Sequence, residues 1–70
     1  MQRQFVSSSN LASVGYDPAT SILEVEFLNG SIYQYWGVSS WIYAGLMAAA
    51  SKGRYLSRRV KGVYSYQKVY

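Results

Sequence analysis

The chain has 70 residues and neither cysteine nor histidine. The first absence excludes disulfides and thiolate metal sites, and the second removes the commonest metal ligand and the usual near-neutral general base. Acids are nearly missing too: Asp17, Glu24 and Glu26 are the only three. The two glutamates lie two positions apart, which on a strand puts them on one face about 7 Å from each other. That spacing reads as a solvated sheet face, not a catalytic carboxylate pair. No nucleophile, base and orienting group converge anywhere in the pattern, so the chain is expected not to be an enzyme and to hold neither metal nor cofactor. Long apolar runs are absent as well. The uncharged stretch from Phe27 to Ser51 is broken by Asn29, Gly30, Gln34, Ser39, Ser40 and Gly45, so no membrane span is expected. No apolar run follows Met1-Gln2-Arg3-Gln4, so the expectation is a cytoplasmic chain without a secretory signal.

Aromatic side chains are plentiful. Eight tyrosines, two tryptophans and two phenylalanines put large amphipathic rings where a bigger protein would use aliphatic side chains. Residues 1–70 make a single domain, and a chain this short buries only about 60% of the surface its unfolded state exposes. Packing alone must hold it. The net charge of +4 conceals an asymmetry: the last twenty residues carry six cations and no acid, while Arg3 is the only cation of the first fifty. A polyanion would be drawn to the C-terminal third.

The clearest structural signal is the pair of alternating runs around Asn29-Gly30, the pattern of a β-hairpin. A three-residue loop Leu28-Asn29-Gly30, with Gly30 as the left-handed residue, pairs Phe27 with Ser31, Val25 with Tyr33 and Leu23 with Tyr35. A two-residue loop would set Glu24 and Glu26 opposite the tyrosines and is rejected. Upstream, Phe5-Val6 reads as a short extended segment ending in a turn at Ser7-Ser8-Ser9-Asn10, where the serines act as turn formers. A strand then places Ala12, Val14 and Tyr16 on one side, and Asp17-Pro18-Ala19-Thr20 turns it into the hairpin. The expected fold is α+β: a three-stranded antiparallel meander packed on two short helices, with an extended C-terminal tail.

The first helix is predicted from about Trp41 to Ala50, capped by Ser39 or Ser40, with Ile42, Leu46 and Ala49 toward the core. Trp41, Ala44, Gly45 and Ala48 then form an uncharged outer face. This suggests an interaction surface at Trp41, Ala44 and Ala48, and hence a homodimer, or else a plainly exposed alanine face. The second helix is predicted from the Ser51 cap to the Gly62 stop. Leu56, Val60 and Gly53 fall on one side of it; Arg54, Arg58 and Lys61 fall on the other, with Lys52, Tyr55 and Arg59 along an edge. The alternating tail from Val63 to Tyr70 reads as a strand that adds to the sheet edge or pairs with a second copy.

Several of these features together resemble the KTSC domain: Val6 with Ser8-Ser9-Asn10, Val14-Gly15-Tyr16-Asp17, Leu23-Val25-Phe27, Asn29-Gly30, Tyr33-Gln34-Tyr35, and Ala50-Ser51-Lys52-Gly53-Arg54-Tyr55. The resemblance runs from about Val6 to Tyr66 and includes the family's Tyr-x-Tyr at Tyr33 and Tyr35. It departs at Ser39, where members often have proline, and at Ser57, where they often have asparagine. The family is named for a domain at the C-terminus of some lysyl-tRNA synthetases and also occurs as small stand-alone proteins of bacteria and their viruses. What the resemblance implies about function is limited to a proposed role in RNA binding.

Two sites follow from the residues. Lys52, Arg54, Arg58, Arg59 and Lys61 form a basic surface for RNA or single-stranded nucleic acid, with Tyr64 and Tyr66 as rings on which a base could stack. Ser51, Lys52, Gly53 and Arg54 form a narrower candidate for phosphate or a nucleotide at the helix start. The duller readings are a solubilising charged face and a cap with close helix packing. Tyr33 and Tyr35, with Leu23, Val25 and Phe27 as neighbours, are expected in the core beneath the helices.

Overall fold

The computed structural model describes residues 1–70 and contains strands β1 (Gln4–Phe5), β2 (Leu11–Asp17), β3 (Ile22–Phe27) and β4 (Ile32–Tyr35), then helices α1 (Ser40–Ala48) and α2 (Lys52–Arg59), then strand β5 (Tyr66–Lys68). The β3–β4 turn sets the register of everything else. Gly30, at φ +92, closes it by donating its N–H to the Phe27 carbonyl at 2.9 Å, and the Phe27 N–H in turn donates to the Ser31 carbonyl at 2.8 Å. Val25 then faces Tyr33 and Leu23 faces Tyr35, the register of the three-residue loop. Only glycine takes this left-handed conformation at little cost.

The sheet has five strands rather than three, in the order β1-β2-β3-β4-β5, every pair antiparallel. The two additions are its edges. Gln4 and Phe5 pair with Val14 and Ser13, and the tail lies along β4, pairing Tyr66 with Tyr35 and Lys68 with Tyr33. Of the two readings of the tail, addition to this chain's own sheet is the one realised here.

Strand β2 departs from simple alternation. Leu11 pairs with Phe27, but Ser13 pairs with Glu26, so a bulge at Ala12 shifts the parity. Leu11 and Val14 therefore both reach the core, at 1% and 0% exposure, while Ala12 is half-buried. The expected row of Ala12, Val14 and Tyr16 is corrected accordingly: an extra residue in one strand flips the faces that precede it.

Both helices lie on the face that carries Leu23, Val25 and Tyr35. Ile42 and Leu46 of α1, Leu56 of α2, Val60 just after it and Val38 just before α1 complete a core of ten buried residues. Burying each Leu or Val fully contributes about 1.5–3 kcal/mol. Ala49 ends α1 as its half-buried C-cap. Gly45 does not belong to the outer face: a Cβ there would sit 2.8 Å from Cζ of Tyr55, so it is the point where α2's tyrosine crosses α1. Ser39 starts α1 without a side-chain cap. Ser51 Oγ does cap α2, accepting from the Arg54 N–H at 3.4 Å. No helix is long and apolar enough to cross a membrane.

On the opposite sheet face, Arg3 reaches over from the N-terminal arm. It forms an ion pair with Glu24 and donates to Ser13 Oγ at 2.8 Å; the Ser13 hydroxyl donates to Glu26 at 2.8 Å. Gln34 donates to the other oxygen of Glu24 at 2.8 Å. Glu24 is thus only 7% exposed, and the expected open carboxylate face is a covered polar network.

Candidate nucleic-acid interface

The two short helices leave part of the five-stranded sheet uncovered. The uncovered part lies at the β4–β5 end, where an open cavity of about 530 Å³ is lined by Phe27, Tyr33, Tyr35, Tyr66, Asn29 and Ser31, with Lys61 and Gly62 arriving from the end of α2.

Its wall is aromatic. Phe27 and Tyr33 meet edge to face at 5.6 Å between ring centres, Tyr33 and Tyr35 stack at 6.4 Å, and Tyr66 tilts against Tyr33 at 5.7 Å and Tyr35 at 5.9 Å. Tyr35 is at the bottom, 3% exposed, and Tyr66 at the rim, 59% exposed. Burial pushes the Tyr35 phenol up from its ordinary value, with Tyr33 and Tyr66 adding to the shift. The Lys61 ammonium stands 5.1 Å from the centre of the Phe27 ring, a cation–π distance. Register adds a second cation: Lys68 is directly opposite Tyr33 and so projects from the same sheet face. No acid lines the cavity. On the far face of the sheet, burial opposes ionisation of Glu24, but hydrogen bonds from Gln34 and Arg3 and the Arg3 charge outweigh it, holding the carboxyl below its ordinary range.

A second concavity, a cleft of about 330 Å³ at the α1–α2 junction, brings together Ser51, Arg54, Tyr55, Arg58 and Arg59 over the small side chains of Ala49 and Ala50. These arginines are exposed. The cations expected on one helix surface are therefore divided: Arg54, Arg58 and Arg59 share this cleft, whereas the helix stops at Arg59 and Lys61, beyond it, turns to the aromatic cavity. Lys52 donates to the Ala49 carbonyl at 3.1 Å, and Gly53 lies against the Asn10 side chain. Of the narrower phosphate candidate, then, only Ser51 and Arg54 line the cleft. Tyr64 packs half-buried against the core while Tyr66 lines the cavity. Trp41, Ala44 and Ala48 are exposed along the outside of α1, Trp41 at 67%. Nowhere do three acidic, cysteine or histidine side chains gather as metal ligands do.

The model of the KTSC domain family matches residues 7–67. The chain belongs to the KTSC domain family. A solved KTSC domain protein from Yersinia pestis superposes with a TM-score of 0.93 at 43% sequence identity, covering 99% of this chain and 97% of the other. An uncharacterized protein of Stutzerimonas stutzeri is 43% identical over 61 residues, 87% of this KTSC chain and 86% of the relative. A lysine–tRNA ligase of Nostoc sp. is 39% identical over 54 residues, which are 77% of this chain but 10% of the ligase. This KTSC chain therefore corresponds to a small part of the synthetase.

Sequence reasoning missed that Phe27, Asn29, Ser31, Tyr33 and Tyr35 line a cavity, and that Lys68 shares the sheet face of Tyr33. Parity correctly puts Tyr33 on the helix side, but half-buried beside the helices instead of beneath them. The usable signal was the parity that sets Phe27, Tyr33 and Tyr35 on one sheet face.

Proposed function

We propose that this KTSC domain binds RNA or single-stranded nucleic acid with little sequence preference. A base stacks against Tyr33, Tyr66 and Phe27, and Lys61 and Lys68 hold the neighbouring phosphates. The observation that supports this reading is the open aromatic cavity rimmed by Lys61 and free of acidic side chains. Rings accept any base by stacking, and ammonium groups pair with phosphate irrespective of sequence. Arg54, Arg58 and Arg59 extend the positive surface along α2, and Lys52 adds to its charge. Tyr64 supports the strand that carries Tyr66.

The test is fluorescence anisotropy with labelled oligouridylate over a range of salt. Affinity should weaken steeply, with a slope of about 0.7 per phosphate contact on a single strand, and Lys61→Ala should remove about one such contact. Tyr66→Ala should cost about 1–3 kcal/mol at every salt concentration. Binding indifferent both to salt and to these two substitutions would overturn the reading.

A second reading concerns self-association. We propose a homodimer through the outside of α1, supported by the large exposed indole of Trp41 beside the small Ala44 and Ala48, a shape that lets two such helices approach closely. Sedimentation at high concentration should show twice the chain mass, lost in Trp41→Ala; a single-chain mass at all concentrations removes it.

A further inference from the structure

The arginine cleft at the α1–α2 junction has a chemistry of its own. None of the guanidiniums of Arg54, Arg58 and Arg59 has a hydrogen-bond or ion-pair partner within the chain, whereas Arg3, the one other arginine, is engaged by Ser13, Glu24 and Glu26. Three like charges around one concavity repel one another unless an anion offsets them. The cleft offers that anion donors and no acidic side chain. Each guanidinium is a planar fork of N–H groups that cannot be deprotonated, and the Ala49 carbonyl already accepts from the Lys52 ammonium at 3.1 Å. Ala49 and Ala50 leave the floor open.

The number of forks discriminates among anions. A carboxylate or an internal phosphodiester carries one negative charge and two free oxygens. A phosphate monoester carries nearly two charges at neutral pH and three free oxygens, so three guanidiniums can each take a bidentate or single contact on it. We propose that the cleft of Arg54, Arg58 and Arg59 is a binding site for a phosphate monoester dianion, supplied either by the 5′ end of a strand or by a free nucleotide. It is distinct from the aromatic cavity and does not rest on the nucleic-acid reading of that cavity.

The ¹⁵N-labelled chain is titrated with uridine 5′-monophosphate at constant ionic strength, with uridine and dimethyl phosphate as controls. Saturable amide shifts are expected within residues 49–59 for the nucleotide but not for uridine, and weaker or none for dimethyl phosphate, a diester with one charge and two free oxygens. Affinity should fall as pH drops through about 6, where the monoester takes up a proton and the arginines do not. Replacing all three arginines by glutamine (R54Q, R58Q, R59Q) should weaken binding at least about tenfold. These side chains are exposed, and unchanged shifts elsewhere confirm the fold. In a second arm, tighter anisotropy binding of 5′-phosphorylated than of 5′-hydroxyl oligouridylate assigns the phosphate to a strand end; equal binding alongside a saturating nucleotide assigns it to free nucleotide. Shifts that uridine or dimethyl phosphate reproduces, that ignore pH, or that survive the triple substitution overturn the proposal. If oligouridylate fails to bind while the nucleotide saturates here, the aromatic-cavity reading falls and this one stands.

Discussion

The Tyr55 phenol lies across α1 where Gly45 has no side chain, and its hydroxyl donates to the Ile42 carbonyl at 3.0 Å. The two helices of this small domain are thus joined through a missing methyl group as well as through Leu46 and Leu56 of the core. Alanine at position 45 would be favoured by about 1 kcal/mol as a helix former, yet its Cβ would fall on the Tyr55 ring. Overpacking of this kind costs about 1–3 kcal/mol. Gly45→Ala should therefore lower the urea midpoint. Tyr55→Phe in the same chain should recover only part of it, since Cζ itself would be 2.8 Å away; a double-mutant cycle measures the coupling.

The network under the sheet predicts acid sensitivity. Glu24 has its folded-state pKa lowered, with burial opposing the change and Gln34 and Arg3 producing it. Its contribution to stability is full above the ordinary glutamate value, about pH 4.3, and is lost as pH falls from there through the lower folded-state value. Urea midpoints taken from neutral pH downwards should decline over that window, and Arg3→Ala should flatten the decline. Identical profiles for the two chains would remove the network from the explanation.

Tyr35 predicts the opposite limb. Burial, then Tyr33 and Tyr66, raise its folded-state pKa, so its contribution is full below the ordinary tyrosine value, about pH 10, and is lost as pH rises from there through the raised value. Spectrophotometric titration should show one phenol ionising late, together with alkaline loss of stability, and Tyr35→Phe should abolish the late step.

Tyr64 and Tyr66 occupy equivalent positions in an alternating tail and have different fates. Tyr64→Ala removes a half-buried ring from the core and should cost about 1–3 kcal/mol of stability. Tyr66→Ala, at a rim position, should change stability by about 0.5 kcal/mol or less while weakening oligouridylate binding. Thermal melts beside anisotropy separate the two; loss of binding in Tyr64→Ala without loss of stability would count against the assignment.

The hairpin was legible because Asn29-Gly30 and the parity of Leu23, Val25, Tyr33 and Tyr35 allow one register only, and α2 was legible because Leu56 and Val60 oppose its arginines. The flanking strands were harder. Two residues of β1 carry no periodicity, and the tail's alternation did not say whose sheet it would join. The bulge at Ala12 reverses side-chain parity without a glycine or proline to announce it. Arg3 was invisible as a partner of Glu24 because the two lie 21 positions apart. The site suffered most from a question of reach: alternation assigns Tyr33 to a face, but only the lengths and placement of the helices decide whether that face is roofed.

Strand β5 has a practical bearing on any handling of the molecule. Tyr66 stands at the mouth of the cavity, and only four residues later both the N–H and the carbonyl of Tyr70 are bound to Ile32. A dye, affinity tag or fused partner joined after Tyr70 would start out beside the tyrosine cleft and crowd it. The same attachment made ahead of Met1 would start on the opposite margin of the sheet, next to β1, leaving the rings free to meet whatever is offered to them.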